Sequence, residues 1–137
     1  MSLLVTVQDV QPAPGARVIT RIYKIQPVQG TNYVTGGDTV NFLTATAPVG
    51  NNNALTAPQP RVKCPPYLAA LFRFDIQSTP SLYQGELLQN AVNPTMANFL
   101  LKIISAATAA ELAAGAYPAG LYNDAFYISL TSPKKYG

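Results

Sequence analysis

The chain is poor in the side chains that most often carry enzyme chemistry. It has no histidine, which is the commonest general base near neutral pH and the commonest metal ligand. Its single cysteine, Cys64, can form neither an intrachain disulfide nor a cysteine zinc cluster. Serine–histidine hydrolysis, cysteine–histidine proteolysis and histidine zinc sites are therefore excluded, and we expect no cofactor and no metal.

Six carboxylates remain as candidate general acids and bases: Asp9, Asp38, Asp75, Glu86, Glu111 and Asp124. A glycosidase needs two carboxylates about 5 to 9 Å apart. Asp75 and Glu86 could meet across a hairpin, but two acids on a protein surface are a far commoner arrangement than a catalytic pair. We therefore predict that the protein is not an enzyme.

The tyrosines offer a different chemistry, because aromatic rings can stack on sugars or on single-stranded nucleic acid. The chain has eight tyrosines and no tryptophan. Tyr23, Tyr83 and Tyr127 lie within strand patterns, where half-buried tyrosine is ordinary packing. This placement favours packing over a stacking platform.

Charge and hydropathy narrow the classes of partner. Only 11% of the 137 residues are charged, and the net charge of +3 is too small for a protein that must neutralise many phosphates. Met1–Asp9 lacks the positive start of a signal peptide, and the apolar stretch Phe99–Ala114 is too short to span a bilayer. We expect no nucleic acid or membrane partner, synthesis in a cytoplasm, and permanent contact with other proteins.

Hydrophobic alternation with a period of two predicts strands over residues 3–8, 17–26, 40–46, 67–77, 82–89, 99–105 and 125–131. The capping-box spacing from Thr108 to Glu111, followed by alanines and Gly115, predicts one short helix. Twelve prolines disfavour a helical bundle. The expected fold is all-β, an antiparallel sandwich or barrel of Greek-key or jelly-roll type with one short helix.

Proline-rich stretches predict the domain organisation. Residues 1–16 are expected to form an N-terminal arm, and residues 17–137 a single β domain with a long Pro- and Asn-rich loop at 48–66. The arm either adds to the open sheet edge of a neighbouring subunit or pairs within its own domain, and the sequence favours neither. The candidate residues for contact with other subunits are Leu3, Leu4, Val5, Arg61, Lys63 and Tyr67.

One segment carries a recognisable pattern, in which a strand, a Tyr-x-Thr-Gly-Gly-Asp turn and a second strand follow each other. The main part of the pattern consists of Arg21–Lys24 and Asn32–Val40. Near the end of the chain it continues with Tyr117-Pro118, Phe126–Leu130 and the terminal Lys-Lys-Tyr-Gly. This pattern resembles the capsid decoration or cement proteins of tailed bacteriophages. The clear part of the resemblance covers residues 17–46, and the last 20 residues match loosely.

The resemblance implies a β-rich virion protein that binds the major capsid protein lattice as a dimer or trimer and stabilises the head. It also implies a place in the virion capsid, after assembly in the host cytoplasm. The alternatives are a tail, connector or head-fibre component and a glycan-binding β-sandwich. A glycan module needs exposed aromatic rings on a concave face, whereas a cement protein needs apolar or Pro-rich edges and a free arm.

Overall fold

The chain folds into antiparallel sheets, as its alternating patterns predict. A computed structural model describes residues 3–12, 17–46, 68, 71 and 73–133. The elements of these ranges are, in chain order, β1 (Leu3–Pro12), β2 (Val18–Pro27), β3 (Asn32–Tyr33), β4 (Asp38–Val40), a 3-10 helix (Phe42–Thr44), β5 (Arg73–Ser78), β6 (Tyr83–Leu88), β7 (Phe99–Ser105), β8 (Gly115–Ala116), α1 (Ala119–Tyr122) and β9 (Phe126–Pro133). The predicted all-β class with one short helix is confirmed.

Two larger sheets and one small one organise the described strands. The first sheet has the strand order β1-β2-β9-β5, the second has the order β4-β7-β6, and β3 pairs with β8 alone. Each of these strand pairs is antiparallel. Strand β1, the predicted arm, pairs with β2 of its own chain from Leu3 opposite Pro27 to Pro12 opposite Ile19.

The two larger sheets share one hydrophobic core, built from alternate residues of their strands. In β2 the inward residues are Ile19, Arg21, Tyr23 and Ile25, which are all buried and alternate with half-buried ones. In β7 and β9 the inward residues alternate along each strand in the same way: Phe99, Leu101, Ile103, Phe126, Ile128 and Leu130. The period-two pattern therefore identifies the core of this protein.

Aromatic rings connect the two sheets through the core. The rings of Tyr23 and Phe42 pack edge to face with centroids 5.2 Å apart, and Phe42 packs in the same way on Phe99 at 5.3 Å. Phe74 of β5 packs on Phe99 at 5.2 Å. Such edge-to-face pairs contribute about 0.5–1.5 kcal/mol each beyond the area they bury.

The strand predicted over residues 40–46 is wrong, because the chain leaves β4 at Val40 and forms the 3-10 helix. The Asn41 side chain accepts a hydrogen bond from the Leu43 N–H at 3.0 Å, which caps this turn. The turn directs the Phe42 ring into the core. A local side-chain cap thus overrides the β-branched and aromatic composition of the segment.

The helix predicted from Thr108 to Gly115 is also wrong, because this segment folds back along β7. Ser105 N–H donates to the Ala110 carbonyl at 2.9 Å, and Leu112 N–H donates to the Ile103 carbonyl at 2.8 Å. Ala109 takes a positive φ of 56°, which no right-handed helix contains. The short helix is instead α1, which follows Pro118 where the sequence indicates a turn.

Of the strand predicted over residues 67–77, the structure describes β5 and residues 68 and 71, and neither Leu68 nor Leu71 belongs to a strand. Leu71 N–H donates to the Leu68 carbonyl at 3.0 Å, and β5 begins at Arg73. Phe74 and Ile76 face the core and Asp75 faces outward, as the alternation predicts. Residues 69, 70 and 72 lie outside the described residues.

Gly85 in β6 is required by close packing. A Cβ atom at this position would lie 2.8 Å from Phe126 Cδ1 and 3.2 Å from Ile76 Cδ1. Because the Phe126 ring is fully buried, we expect Gly85→Ala to lower the free energy of unfolding by about 1–3 kcal/mol. Urea denaturation measures this difference.

Gly120→Ala is the matched control, because a Cβ there would have its nearest neighbour at 3.8 Å, in Tyr83. Gly120 lies in α1, so alanine is expected to raise stability by roughly 0.5–1 kcal/mol. Equal denaturation midpoints for the two variants would contradict the packing role of Gly85.

Candidate interaction site

The contact residues expected from the sequence fall into two groups. Leu3, Leu4 and Val5 are buried in the core of their own chain, so they can reach another subunit only if β1 leaves β2. Arg61, Lys63 and Tyr67 lie outside the described residues, as do the 48–66 loop and Cys64. Their role in contacts stays a prediction.

A different surface stands out, where β5 and β6 leave the turn at residues 79–82. Strand β5 is the last strand of the first sheet and β6 the last strand of the second, and no hydrogen-bonded pairing joins the two in the described residues. The cleft between them, here called the edge groove, has a volume of about 370 Å³. Its walls are Phe74, Asp75, Ile76, Gly85, Glu86, Leu87 and Leu88.

The groove brings together Asp75 and Glu86, the two acids that the sequence analysis considered as a pair. Asp75 forms an ion pair with Arg73, with 3.4 Å between Arg73 Nε and Asp75 Oδ2. Both side chains are mostly exposed, and such a pair is worth about 0–1 kcal/mol. Among the described residues, no side-chain cation lies within 4.0 Å of Glu86.

The backbone of β6 presents hydrogen-bonding groups to the groove. Ile103 N–H donates to Tyr33 Oη and the Ile103 carbonyl accepts from Leu112, so both groups of Ile103 point away from β6. Gly85 is opposite Ile103 and is therefore in a non-hydrogen-bonded pair. Because the pattern repeats every two residues, the N–H and C=O groups of Gly85 and Leu87 face the groove.

Apolar side chains continue from the groove into the loop that follows β6. Leu88 lines the groove and is 39% exposed, and Val92 is 93% exposed. The loop is ordered by its own side chains, because Asn90 Oδ1 accepts from the N–H groups of Val92 and Asn93. Val92 is thus held out toward solvent by a defined turn.

The Gly-Gly-Asp turn has a structural role in the described residues. Gly36 and Gly37 take positive φ values of 94° and 125°, and Gly37 N–H donates to the Val34 carbonyl at 3.1 Å. The extended stretches on either side do not pair with each other, since β3 pairs with β8 and β4 with β7. The turn therefore connects two sheets.

Two carboxylates fasten this turn to the segment before α1. Glu111 Oε1 accepts from Tyr33 Oη at 2.8 Å and from Gly36 N–H at 2.5 Å. Tyr117 Oη donates to Asp38 Oδ2 at 2.5 Å in a buried position. The sequence pattern assigned Glu111 to a helix cap, and its actual partners are far away in the chain.

The environment changes the pKa of three groups in this network. Burial raises the pKa of Tyr33 to about 12, and burial followed by the Asp38 contact raises the pKa of Tyr117 still further. The hydrogen bond from Gly36 N–H, then that from Tyr33, holds the pKa of Glu111 below its ordinary value. Both tyrosines are therefore neutral and Glu111 is charged near neutral pH.

The lowered pKa of Glu111 predicts a specific acid sensitivity. The stabilisation is fully present above the unfolded pKa of about 4.3 and is lost as the pH falls through the lower folded value. Glu111→Gln keeps an oxygen that can accept both bonds but removes the charge. We expect the urea midpoint of the wild type to fall more steeply than that of the variant below about pH 5.

Glu86→Gln serves as the control for this measurement, because it removes an exposed carboxylate from the groove and leaves Glu111 intact. It should keep the steep acid limb of the wild type. An acid limb of the same slope in the Glu111 variant would contradict the assignment.

The described residues contain no group of three or more acidic or cysteine side chains placed to hold a metal ion. A search of the described helices finds none that is both long and apolar enough to cross a membrane. The edge groove could not be predicted from the sequence. The available signal was the weak, glycine-containing strand at 82–89, but nothing in it shows which strand lies at a sheet edge.

Comparison with known proteins gives no further assignment: no family model, curated protein or solved structure matches this chain.

Proposed function

We propose that the protein is a structural component of a bacteriophage virion, which decorates the capsid by binding the major capsid protein lattice. The resemblance of residues 17–46 to decoration proteins supports this proposal. The structural observation that supports it most is the edge groove, where two strand edges that are open in the described part of the chain lie beside exposed Leu88. Exposed strand edges and apolar side chains are the features through which proteins add to one another.

The mechanism of such a protein is mechanical. Each bound copy covers the joint between neighbouring capsid subunits and adds buried apolar area there. At about 25 cal/mol per Å² of apolar surface, even a small contact becomes large when symmetry repeats it over a shell. The low charge of the chain, 11% of its residues, suits a protein that stays bound.

The glycan-binding alternative receives less support. Every tyrosine and phenylalanine of the described residues is buried or half-buried, including Tyr83, Tyr122 and Tyr127. A sugar-binding face needs exposed rings for stacking. The exposed large apolar side chains in the described ranges are aliphatic instead: Val34, Leu43, Leu82, Leu88 and Val92.

The proposal is tested on phage particles that carry the protein. Particles stripped of it should melt at a lower temperature than complete particles, and adding the purified protein back should restore the melting temperature. Mass spectrometry should give a copy number in a simple ratio to the major capsid protein. Identical melting of stripped and complete particles, or copies located on the tail, would overturn the proposal.

A pair of valine variants locates the contact. Val92→Asp places a charge on the loop that follows β6, and Val34→Asp places the same charge on the Gly-Gly turn, where the native valine is 56% exposed. We expect the first to lose particle binding and the second to retain it.

A further inference from the structure

Among the described strands, β6 is the edge of its sheet and carries no lysine, proline or β-bulge. Natural edge strands carry lysine, proline or a β-bulge that prevents another strand from pairing with them. The sequence of β6, Tyr-Gln-Gly-Glu-Leu-Leu, contains neither lysine nor proline. Its register with β7 runs without a shift from Tyr83 to Leu88, whereas β1 and β5 each have a register irregularity. The outward backbone groups of Gly85 and Leu87 are therefore arranged to pair with an added strand.

The side chains of the groove specify what such a strand should contain. On the inner side lie the half-buried Phe74, Ile76 and Leu87, which pack against the core. On the outer side lie Asp75 and Glu86, and both ionisable side chains lining the groove are carboxylates. Successive side chains of a strand point to opposite faces. An added strand would thus place apolar residues inward and basic residues outward in alternation.

The charge of the groove is unusual for this chain. The protein as a whole carries a net charge of +3, and two of its six carboxylates lie in this one cleft. Both partners of the Arg73–Asp75 ion pair are mostly exposed, so the pair is weak. A basic residue of a bound segment can therefore replace Arg73 as the partner of Asp75. Glu86 has no described cation within ion-pairing distance.

We propose that the edge groove binds an extended segment of another protein, about four residues long with alternating basic and apolar side chains, by strand addition to β6. The length follows from the residues that line the groove on β6, Gly85–Leu88. This proposal names the kind of contact that the proposed function requires. It rests on the proposed function only in identifying the partner as the capsid protein. Backbone hydrogen bonds supply affinity, and the two carboxylates select the basic residues.

The test uses the full chain and three labelled hexapeptides. The first is acetyl-Lys-Val-Lys-Val-Lys-Val-amide, the second has glutamate in place of lysine, and the third is the lysine peptide with alternate backbone amides methylated. Fluorescence anisotropy should show saturable binding of the first. The second and third should bind at least about tenfold more weakly, because they lose the charge complementarity or the backbone bonds.

Two variants on the same strand identify the site. Glu86→Lys reverses a groove charge and should weaken binding of the lysine peptide by about tenfold. Gln84→Lys also introduces a lysine, at an exposed residue of the same strand that does not line the groove, and it should change binding less than about twofold. Thermal melting of both variants checks that they are folded.

Each outcome decides the proposal. Saturable binding that depends on lysine, on free amides and on Glu86 supports it. Absence of saturable binding, or equal binding of the glutamate or methylated peptide, overturns it. Self-association that Glu86→Lys abolishes would show a second copy as the occupant and overturns it too.

The outcome of the peptide experiment is independent of the test of the proposed function on particles. If the particles lose stability on stripping but no peptide binds, the groove proposal is wrong and the capsid function stands. If the lysine peptide binds as expected while stripped and complete particles melt alike, the groove proposal stands and the capsid function is wrong.

Discussion

A variant lacking residues 1–12 is expected to be unfolded, rather than a folded monomer that fails to assemble. Strand β1 contributes Leu3, Leu4, Val5 and Val7 to the buried apolar residues. Full burial of such side chains is worth about 1.5–3 kcal/mol each, so their sum is as large as the whole stability of a typical domain, about 5–15 kcal/mol. Removing β1 would also expose the edge of β2 along its length.

Circular dichroism and thermal melting check this expectation. A single substitution in β1 tests the same burial without removing the strand. Val5→Asp puts a carboxylate at a position that is 2% exposed, whereas Val34→Asp puts it at a position that is 56% exposed. The first should abolish the cooperative transition and the second should leave it nearly unchanged. A truncated chain with a normal melting transition that no longer binds particles would show instead that the arm is exchanged between subunits.

Tyr117→Phe is expected to be the most destabilising single-atom change in the polar network. Its hydroxyl is the described donor to Asp38 Oδ2, and Asp38 is only 7% exposed. The other oxygen, Oδ1, accepts from Thr39 N–H at 2.9 Å. Loss of the hydroxyl leaves a buried carboxylate oxygen without its donor, which should lower the free energy of unfolding by about 2–3 kcal/mol.

Tyr127→Phe is the matched control, because Tyr127 is half-buried in β9 and should change stability by less than about 0.5 kcal/mol. A double-mutant cycle with Asp38→Asn isolates the coupling between Tyr117 and Asp38. Equal denaturation midpoints for the two tyrosine variants, or independent effects in the cycle, would contradict the contact.

The sequence determined the class of fold and most of its core. Alternation with a period of two is a local property, and a strand that has one buried face must follow it wherever it pairs. For this reason the inward residues of β2, β7 and β9 could be predicted, and so could the Gly-Gly turn. The local signals failed where a side chain found a distant partner. Glu111 has the spacing of a helix cap but bonds to Tyr33 and Gly36, which are more than 70 residues away in the chain.

Only the tertiary structure decided which strands lie at the sheet edges and what meets there. The pattern of β6 is the same whether its outer side is paired or open, because pairing engages the backbone and leaves the side-chain alternation unchanged. The convergence of Asp75 and Glu86 in one groove depends on two sheets ending side by side at the turn of residues 79–82. The position of β1 was equally undetermined, since the same apolar residues can pair with β2 of their own chain or with a neighbour.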